Sequence, residues 1–317
     1  MKRALSLAML KSILSISFVF LTLLLMISCG EAERNEGEYY TFTDSTGVQI
    51  SLDAKPQRVA VLFSSFAEIW SLAGGEVAVT VGETVERGLA DSSTPLVDSG
   101  AGKSISTELL ISYKPDLVIA SADIPAHVNA ANLLNGSGIP CALFSVENLE
   151  DYLQTLRIFT QITGNSDAYA TYGDDVSAKV TELLSAVPKN TKRRILFIRA
   201  SSSAKSTKAK TASEHFAALM LKELGTYNIA EAAPALLDGL SLEEILIQKP
   251  DCIFISTMGD EESARAYIEE LFSSSGWKEL DAVKNGQYYF LEKELFQYKP
   301  NHRWYLAYLK LWEFLYE

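Results

Sequence analysis

Apolar and polar positions along the chain form short blocks whose period switches between two and about 3.6. Residues 39–42 and 48–52 alternate like strands, with the turn-forming Asp44-Ser45-Thr46-Gly47 between them. After Pro56-Gln57-Arg58, residues 59–63 form an apolar run of the kind found in a buried parallel strand. Ser64 and Ser65 can cap a helix over 66–72 that stops at Gly74-Gly75, and 77–81 reads as the next strand, followed by a polar loop over 83–95. A helix near 126–134, the break Gly136-Ser137-Gly138 and a strand over 141–144 come next. Residues 148–163 read as a helix, Gly164 separates it from a longer helical pattern over 166–187, and Pro188 ends that pattern. Residues 195–198 reopen as a strand, and a Ser/Lys/Ala-rich loop over 201–213 is expected to border a cleft. Helices over 214–224 and 263–272, a strand over 287–291 and a helix over 302–316 finish the chain.

Two stretches 135 residues apart share one pattern. Ser106, Glu108, Lys114, Pro115 and Asp116 recur as Ser241, Glu243, Lys249, Pro250 and Asp251, with apolar residues matched between them and a buried strand after each. Each copy has a serine able to cap a helix, an acid in the first turn, and a proline that forbids continuation. One helix-to-strand unit used twice implies two similar α/β lobes. The expected fold class is therefore α/β, with two lobes built on mainly parallel sheets, joined by one long backbone helix, and a ligand cleft between them. The corresponding division is a leader over 1–28, a tether over 29–38, a first lobe over 39–163, a linking helix over 164–188 and a second lobe over 189–317.

The leader follows from Lys2, Arg3 and Lys11, the apolar run 12–28 and the sequence Met26-Ile27-Ser28-Cys29. About 17 apolar residues are short for a membrane span. Ser28-Cys29 resembles a lipobox, with Met26 where leucine is usual, and the resemblance implies a lipid-modified Cys29 on an extracytoplasmic, membrane-anchored protein. The net charge of −12 argues against nucleic acid or an anionic lipid surface as partner. Cys141 and Cys252 fall in buried strands of different lobes, where each serves as a small hydrophobe rather than half of a disulfide.

Chemistry-bearing motifs are few. Gly100-Ala101-Gly102-Lys103-Ser104 resembles the tail of a phosphate loop, but Val97 stands where its first glycine is needed. A Gly-x-Ser-x-Gly elbow, a His-Glu-x-x-His helix and paired Cys-x-x-Cys motifs are absent, so the chain reads as neither an enzyme nor the holder of a resident metal or cofactor. Open α/β sheets bind ligands at the carboxyl ends of their strands. That rule selects Ser64, Ser65 and Phe66, then Glu83 and Thr84, then Ser121, Ala122 and Asp123, then Arg199, and finally Thr257 and Met258.

Tyr40 to Gly47, Pro56-Gln57-Arg58-Val59-Ala60-Val61, Phe66-Ala67-Glu68-Ile69, Gly82 and Lys114-Pro115-Asp116-Leu117-Val118-Ile119 together resemble periplasmic solute-binding lipoproteins of iron-siderophore, haem and cobalamin ABC importers. The resemblance covers residues 39–317 and implies two α/β lobes that bend little about a stiff helix. It also implies that Glu108 and Glu243 dock into arginine pockets on the two permease subunits, although each also complements its helix dipole. Lys299-Pro300-Asn301-His302-Arg303-Trp304 resembles a Lys-Pro-Asn-x-Arg-Trp signature of some of these proteins. Two readings of it stand: ligand contact through Tyr298, Arg303 and Trp304, or a helix cap with Asn301 as N-cap and Trp304 in the core.

The ligand-binding set expected from these arguments is Ser65, Phe66, Glu83, Arg199, Met258, Tyr298, Arg303 and Trp304. The expected function is capture of a chelated iron compound, a ferric siderophore or haem, by a monomeric lipoprotein that delivers it to an ABC permease dimer. Arginines would hold the anionic chelate while aromatics cover its apolar parts. Cobalamin binding in the same type of importer, or ligand sensing coupled to a membrane receptor, are the alternatives. A secreted enzyme is disfavoured, because no nucleophile–base pair is evident.

Overall fold

The computed structural model describes residues 39–98, 104–189 and 192–317. The leader, Cys29, the tether and the Gly100-Ala101-Gly102-Lys103 stretch lie outside the described residues.

The described chain opens with the antiparallel hairpin β1 (Tyr40–Thr43) and β2 (Gln49–Leu52). Its turn is set by Asp44, whose Oδ1 accepts from Thr46 N and Val48 N while Oδ2 accepts from Leu143 N at 3.0 Å. One carboxylate thus shapes the turn and moors the hairpin to the first sheet. That sheet is parallel, in the order β3 (Val59–Val61), β4 (Leu117–Ser121), β5 (Cys141–Phe144). The strand expected over 77–81 is reduced to two single bridges, Val79 to Ala60 on one side and Thr80 to Leu96 on the other. The polar loop expected over 83–95 begins with a short helix, Gly82–Glu86.

The second sheet runs β10 (Tyr288–Phe290), β9 (Cys252–Thr257), β6 (Arg194–Ala200), β7 (Lys208–Ala209), with β8 (Tyr227–Asn228) also paired to β6. β7 is antiparallel and lies inside the segment expected to be all loop. The fold is bilobal α/β, with parallel central strands and an antiparallel edge.

The repeat has the same construction in both lobes. Ser106 and Ser241 cap helices Thr107–Ser112 and Leu242–Gln248 by accepting from Leu109 N and Glu244 N. Proline disfavours the right-handed helical region at the residue before it, and Lys114 and Lys249 are left-handed, with φ of 50° and 47°. Asp116 then accepts from Gln57 N and Arg58 N at 2.6 and 2.9 Å, and Asp251 accepts from Arg194 N at 2.8 Å. Arg58 and Arg194 return the contact, donating to the carbonyls of Tyr113 and Gln248. In each lobe, therefore, the Lys-Pro-Asp turn starts one strand and clamps the beginning of its neighbour.

Side chains on each sheet alternate between two buried layers. Val59, Val61, Leu117 and Ile119 share a core with Ile195, Phe197, Cys252 and Phe254, so one apolar cluster runs through both lobes. Ala60, Val118 and Ala120 face an outer layer in the first lobe, and Leu196, Ile198 and Ile255 face one in the second. The linking helix fills the shared core with Val176 and Val180. Expected as one helix over 166–187, it comprises Ser166–Tyr169, a π-helical turn at Ala170–Asp174, and Asp175–Ser185. A π turn carries an extra residue, which frees a carbonyl from the regular ladder. Here Tyr152 OH donates to Tyr172 O at 2.9 Å. Cys141 and Cys252 are free and buried, and burial pushes both thiols up to about 12. Among the described residues no helix is long and apolar enough to cross a membrane.

Removing either aspartate clamp should weaken the fold modestly, because water reaches these exposed positions. Asp116→Ala and Asp251→Ala are each expected to lower unfolding free energy by about 1–2 kcal/mol. Urea unfolding followed by circular dichroism checks this, and unshifted midpoints would show that water serves the strand N–H groups equally well.

Candidate functional site

Helix Ser64–Leu72 starts where β3 ends, at the seam between the lobes. Its N-cap is Phe63, in extended conformation, so Ser64 and Ser65 lie in the first turn rather than capping it. Ser64 is used sideways: its hydroxyl donates to Glu83 Oε2 at 2.5 Å and accepts from Arg87 Nη1 at 3.0 Å.

Every residue from Ser64 to Trp70 is buried, and among them is one carboxylate, Glu68. A buried charge must be paired and hydrogen-bonded. Glu68 Oε2 lies 3.2 Å from Arg87 Nη2 and accepts from Asn301 Nδ2 at 3.0 Å, while Oε1 lies 3.2 Å from Arg303 Nη2 and 3.4 Å from His302 Nδ1. Burial alone would raise this carboxyl, but His302, Arg303, Arg87 and Asn301 outweigh it and hold it below the ordinary glutamate range. Asn301 also donates to Ser65 O at 2.9 Å, from a left-handed backbone with φ of 53°. It is not the N-cap of the last helix but opens a 3-10 turn, Asn301–Arg303, that feeds helix Trp304–Tyr316. The signature loop therefore clips the two lobes together through Glu68.

Around this clip several buried side-chain atoms have no hydrogen-bond partner: Ser65 Oγ, Thr257 Oγ1, Gln297 Oε1, Asn301 Oδ1, Arg303 Nε and Trp304 Nε1. They come from the start of the first-lobe helix, the carboxyl end of β9 and the last loop. Unsatisfied polar atoms are expensive and rare in interiors, and each of these is shut off from the surface of the seam.

Farther along the seam, Arg199 projects from the carboxyl-terminal part of β6. The residue is exposed, yet desolvation by surrounding protein lowers the pKa of its guanidinium. Among the described residues it makes no side-chain hydrogen bond or ion pair; Glu147 of the first lobe acts on it only through its charge. Lys299 Nζ does pair with Glu147, at 2.6 Å, and lies over the Phe216 ring at 5.1 Å. His215, behind Phe216, is held neutral by burial first and then by Arg199, Lys299 and Lys210. Its Nδ1 caps helix Phe216–Glu223 by accepting from Ala217 N, which leaves the ring proton on Nε2, 3.5 Å from Ser256 Oγ.

The seam brings most of the expected site residues together, in differing states. Ser65, Phe66 and Trp304 are each only 1% exposed, and Phe66 packs edge-on against Phe63 and Phe144. Glu83 is tied to Ser64, Met258 is half-buried beside Ala200, and Arg303 is tied to Glu68. Tyr298 has the Arg87 guanidinium 4.1 Å from its ring centroid and Lys293 Nζ at 5.2 Å. Glu108 and Glu243 lie away from this network, exposed in the first turns of the two repeat helices. Sequence reasoning singles out neither Arg87 nor Glu147. Glu68 and Lys299 fall inside the motifs Phe66-Ala67-Glu68-Ile69 and Lys299-Pro300-Asn301-His302-Arg303-Trp304, though without a role of their own. Among the described residues no group of three or more His, Cys, Asp or Glu could hold a metal ion.

Glu68→Ala should cost about 3 kcal/mol of stability, since it strands buried cations, whereas Glu68→Gln should cost less. Because the folded carboxyl titrates below the ordinary value, its contribution is complete above about pH 4.3 and is lost as pH falls through the folded value. Urea midpoints measured from pH 7 to pH 3 should therefore fall less steeply in Glu68→Gln than in wild type. Identical acid limbs would show that Glu68 carries no such linkage.

The profile of the periplasmic binding protein family matches residues 59–295. The chain is 26% identical over 298 residues to the Fe(3+)-citrate-binding protein YfmC of Bacillus subtilis, with 90% of each chain covered. Its fold is similar to that of Staphylococcus aureus SirA complexed with staphyloferrin B, at TM-score 0.65 and 19% identity, over 87% of this chain and 98% of that one. It is likewise similar to S. aureus IsdE complexed with heme, at TM-score 0.66 and 14% identity, over 82% and 99%. With three quarters of its length matched and both lobes in place, the chain belongs to the periplasmic binding protein family, the extracytoplasmic and non-catalytic solute-binding components of ABC importers.

Proposed function

We propose that this protein captures a ferric chelate bearing carboxylate groups in the cleft between its lobes and delivers it to an ABC permease. The observation that carries the reading is Arg199, a guanidinium without a side-chain partner among the described residues, at the carboxyl end of a central strand. A carboxylate there gains a charge-assisted, forked contact that no described residue supplies. Similarity to a Fe(3+)-citrate-binding protein over 90% of both chains supports the same ligand class. Tyr298 and Met258 are proposed to cover apolar parts of the chelate. Arg303 serves chiefly in the clip to Glu68. In this reading the lobes span 39–163 and 189–317, the segment 164–188 links them, and a lipid on Cys29 anchors the chain.

Docking is proposed through Glu108 and Glu243. Both are exposed and neither makes an ion pair among the described residues, whereas the neighbouring Glu244 is engaged by Gln248 Nε2 at 2.8 Å. Leu109 and Ile111 are exposed near the first glutamate, and Leu246 and Ile247 near the second. A carboxylate rimmed by exposed apolar side chains suits a basic pocket with greasy walls.

Arg199→Ala is expected to weaken ferric citrate binding by on the order of tenfold to a hundredfold, with Arg199→Lys recovering only part. Titration by tryptophan fluorescence measures this on variants with unchanged thermal unfolding, and wild-type affinity in Arg199→Ala would displace the site. A Soret band or corrin spectrum in protein from its native host would replace the ferric chelate by haem or cobalamin.

Glu108→Arg combined with Glu243→Arg should abolish uptake while ligand affinity stays at the wild-type value, because repulsion replaces attraction at both lobes. Undiminished uptake by the double variant would rule out docking through this pair.

A further inference from the structure

We propose that Glu147 is a built-in stand-in for the ligand's carboxylate: in the unliganded protein it neutralises the cationic wall of the cleft, and an anionic ligand must displace it. This deepens the functional reading above and rests on it for the location of the cleft. The geometry is an ion pair across the seam, with Glu147 on the loop after β5 of the first lobe and Lys299 on the last loop, 2.6 Å apart.

The two partners are held independently of each other. Glu147 N donates to Asp151 Oδ2 at 2.9 Å, in a loop whose Asn148 caps the next helix, so its backbone is fixed without the ion pair. Lys299 precedes Pro300 and Asn301, and Asn301 is pinned by Ser65 O and Glu68. Its ammonium also rests over Phe216. Losing the pair therefore releases neither loop, and the Glu147 side chain, 49% exposed, is free to swing into solvent.

The charges facing this spot are unequal. The second lobe presents Arg199, Lys299 and Lys210, of which Lys210 is already paired with Glu214 at 3.1 Å. On the first lobe the other nearby carboxylates are engaged locally, Asp151 by Glu147 N at 2.9 Å and Asp123 by Ser145 Oγ at 3.0 Å. One mobile carboxylate thus serves two cations. A ligand with two or more carboxylates brings one negative charge to each of Lys299 and Arg199, where Glu147 brings one charge for both, whereas a neutral chelate has nothing to offer in exchange. Glu147 should accordingly weaken all anionic ligands somewhat and set a threshold that favours multiply charged ones.

The test compares wild type, Glu147→Gln, Lys299→Met and the double variant, each titrated with ferric citrate, metal-free citrate and a neutral ferric trihydroxamate. Glu147→Gln is expected to bind the two anionic probes roughly three- to tenfold more tightly than wild type. The gain should vanish when Lys299→Met is combined with it, and the trihydroxamate should show no change. Equal or weaker binding of anionic probes by Glu147→Gln, with thermal unfolding unchanged, would overturn the proposal and make the pair a simple latch. A gain with metal-free citrate, with ferric citrate bound by neither wild type nor Glu147→Gln, would keep the stand-in role while refuting the ferric chelate as ligand. If Glu147→Gln binds neither form of citrate, the stand-in role is refuted.

Discussion

The structure depends most on one buried carboxylate. Glu68 sits in a helix turn otherwise given to apolar packing, where a lone charge would be prohibitive. Its partners come from two directions: Arg87, at the end of a short helix of the same lobe, and Asn301, His302 and Arg303 from the far end of the chain. Satisfying Glu68 therefore forces the last loop across the seam. Much else follows from that crossing. Lys299 is delivered to the cleft, Trp304 enters the shared core, and the final helix is aimed along the linking helix.

The shared core has the complementary effect on motion. One face of each sheet, the linking helix and the final helix bury side chains in a single cluster, so hinging the lobes apart would expose apolar surface on both. The helix between them is interrupted by a π turn, but that turn is itself tied down by Tyr152 and packs Tyr172 edge-on to His302 at 5.9 Å. The irregular turn is thus linked through His302 to Glu68. Small rearrangements at the seam, not wide opening, are the motion this architecture permits.

The proposed function divides along the same lines. The interior of the seam is spent on holding the lobes, and the residues proposed to meet a guest lie at its mouth: Arg199, Lys299 with its companion Glu147, Met258 and Tyr298. The residues proposed for docking lie elsewhere, in the two repeat helices, where the same local sequence gives each lobe one exposed acid in a first turn. A repeated unit of this kind would present the same carboxylate to two similar partner subunits.

The sequence by itself determined the features that local physics dictates. Proline after lysine ends both repeat helices, aspartate anchors both following strands, and unbroken apolar runs rich in β-branched residues, such as Leu117-Val118-Ile119, read as central strands. Arg199 was legible for the same reason, since its place at the end of a buried strand follows from chain order. What only tertiary structure decided were choices between equal local options. Ser64 and Ser65 could cap, but Phe63 takes the N-cap position without a side-chain bond, and the hydroxyl of Ser64 is claimed by Glu83 and Arg87. Residues 77–81 could be a strand, but only Val79 and Thr80 pair, one to each side. Asn301 could cap the last helix, but is drawn to a glutamate 233 residues away in sequence. Charged side chains on loops have no periodicity to betray them, so Arg87 and Glu147 acquire meaning only when folding places them against partners from other parts of the chain.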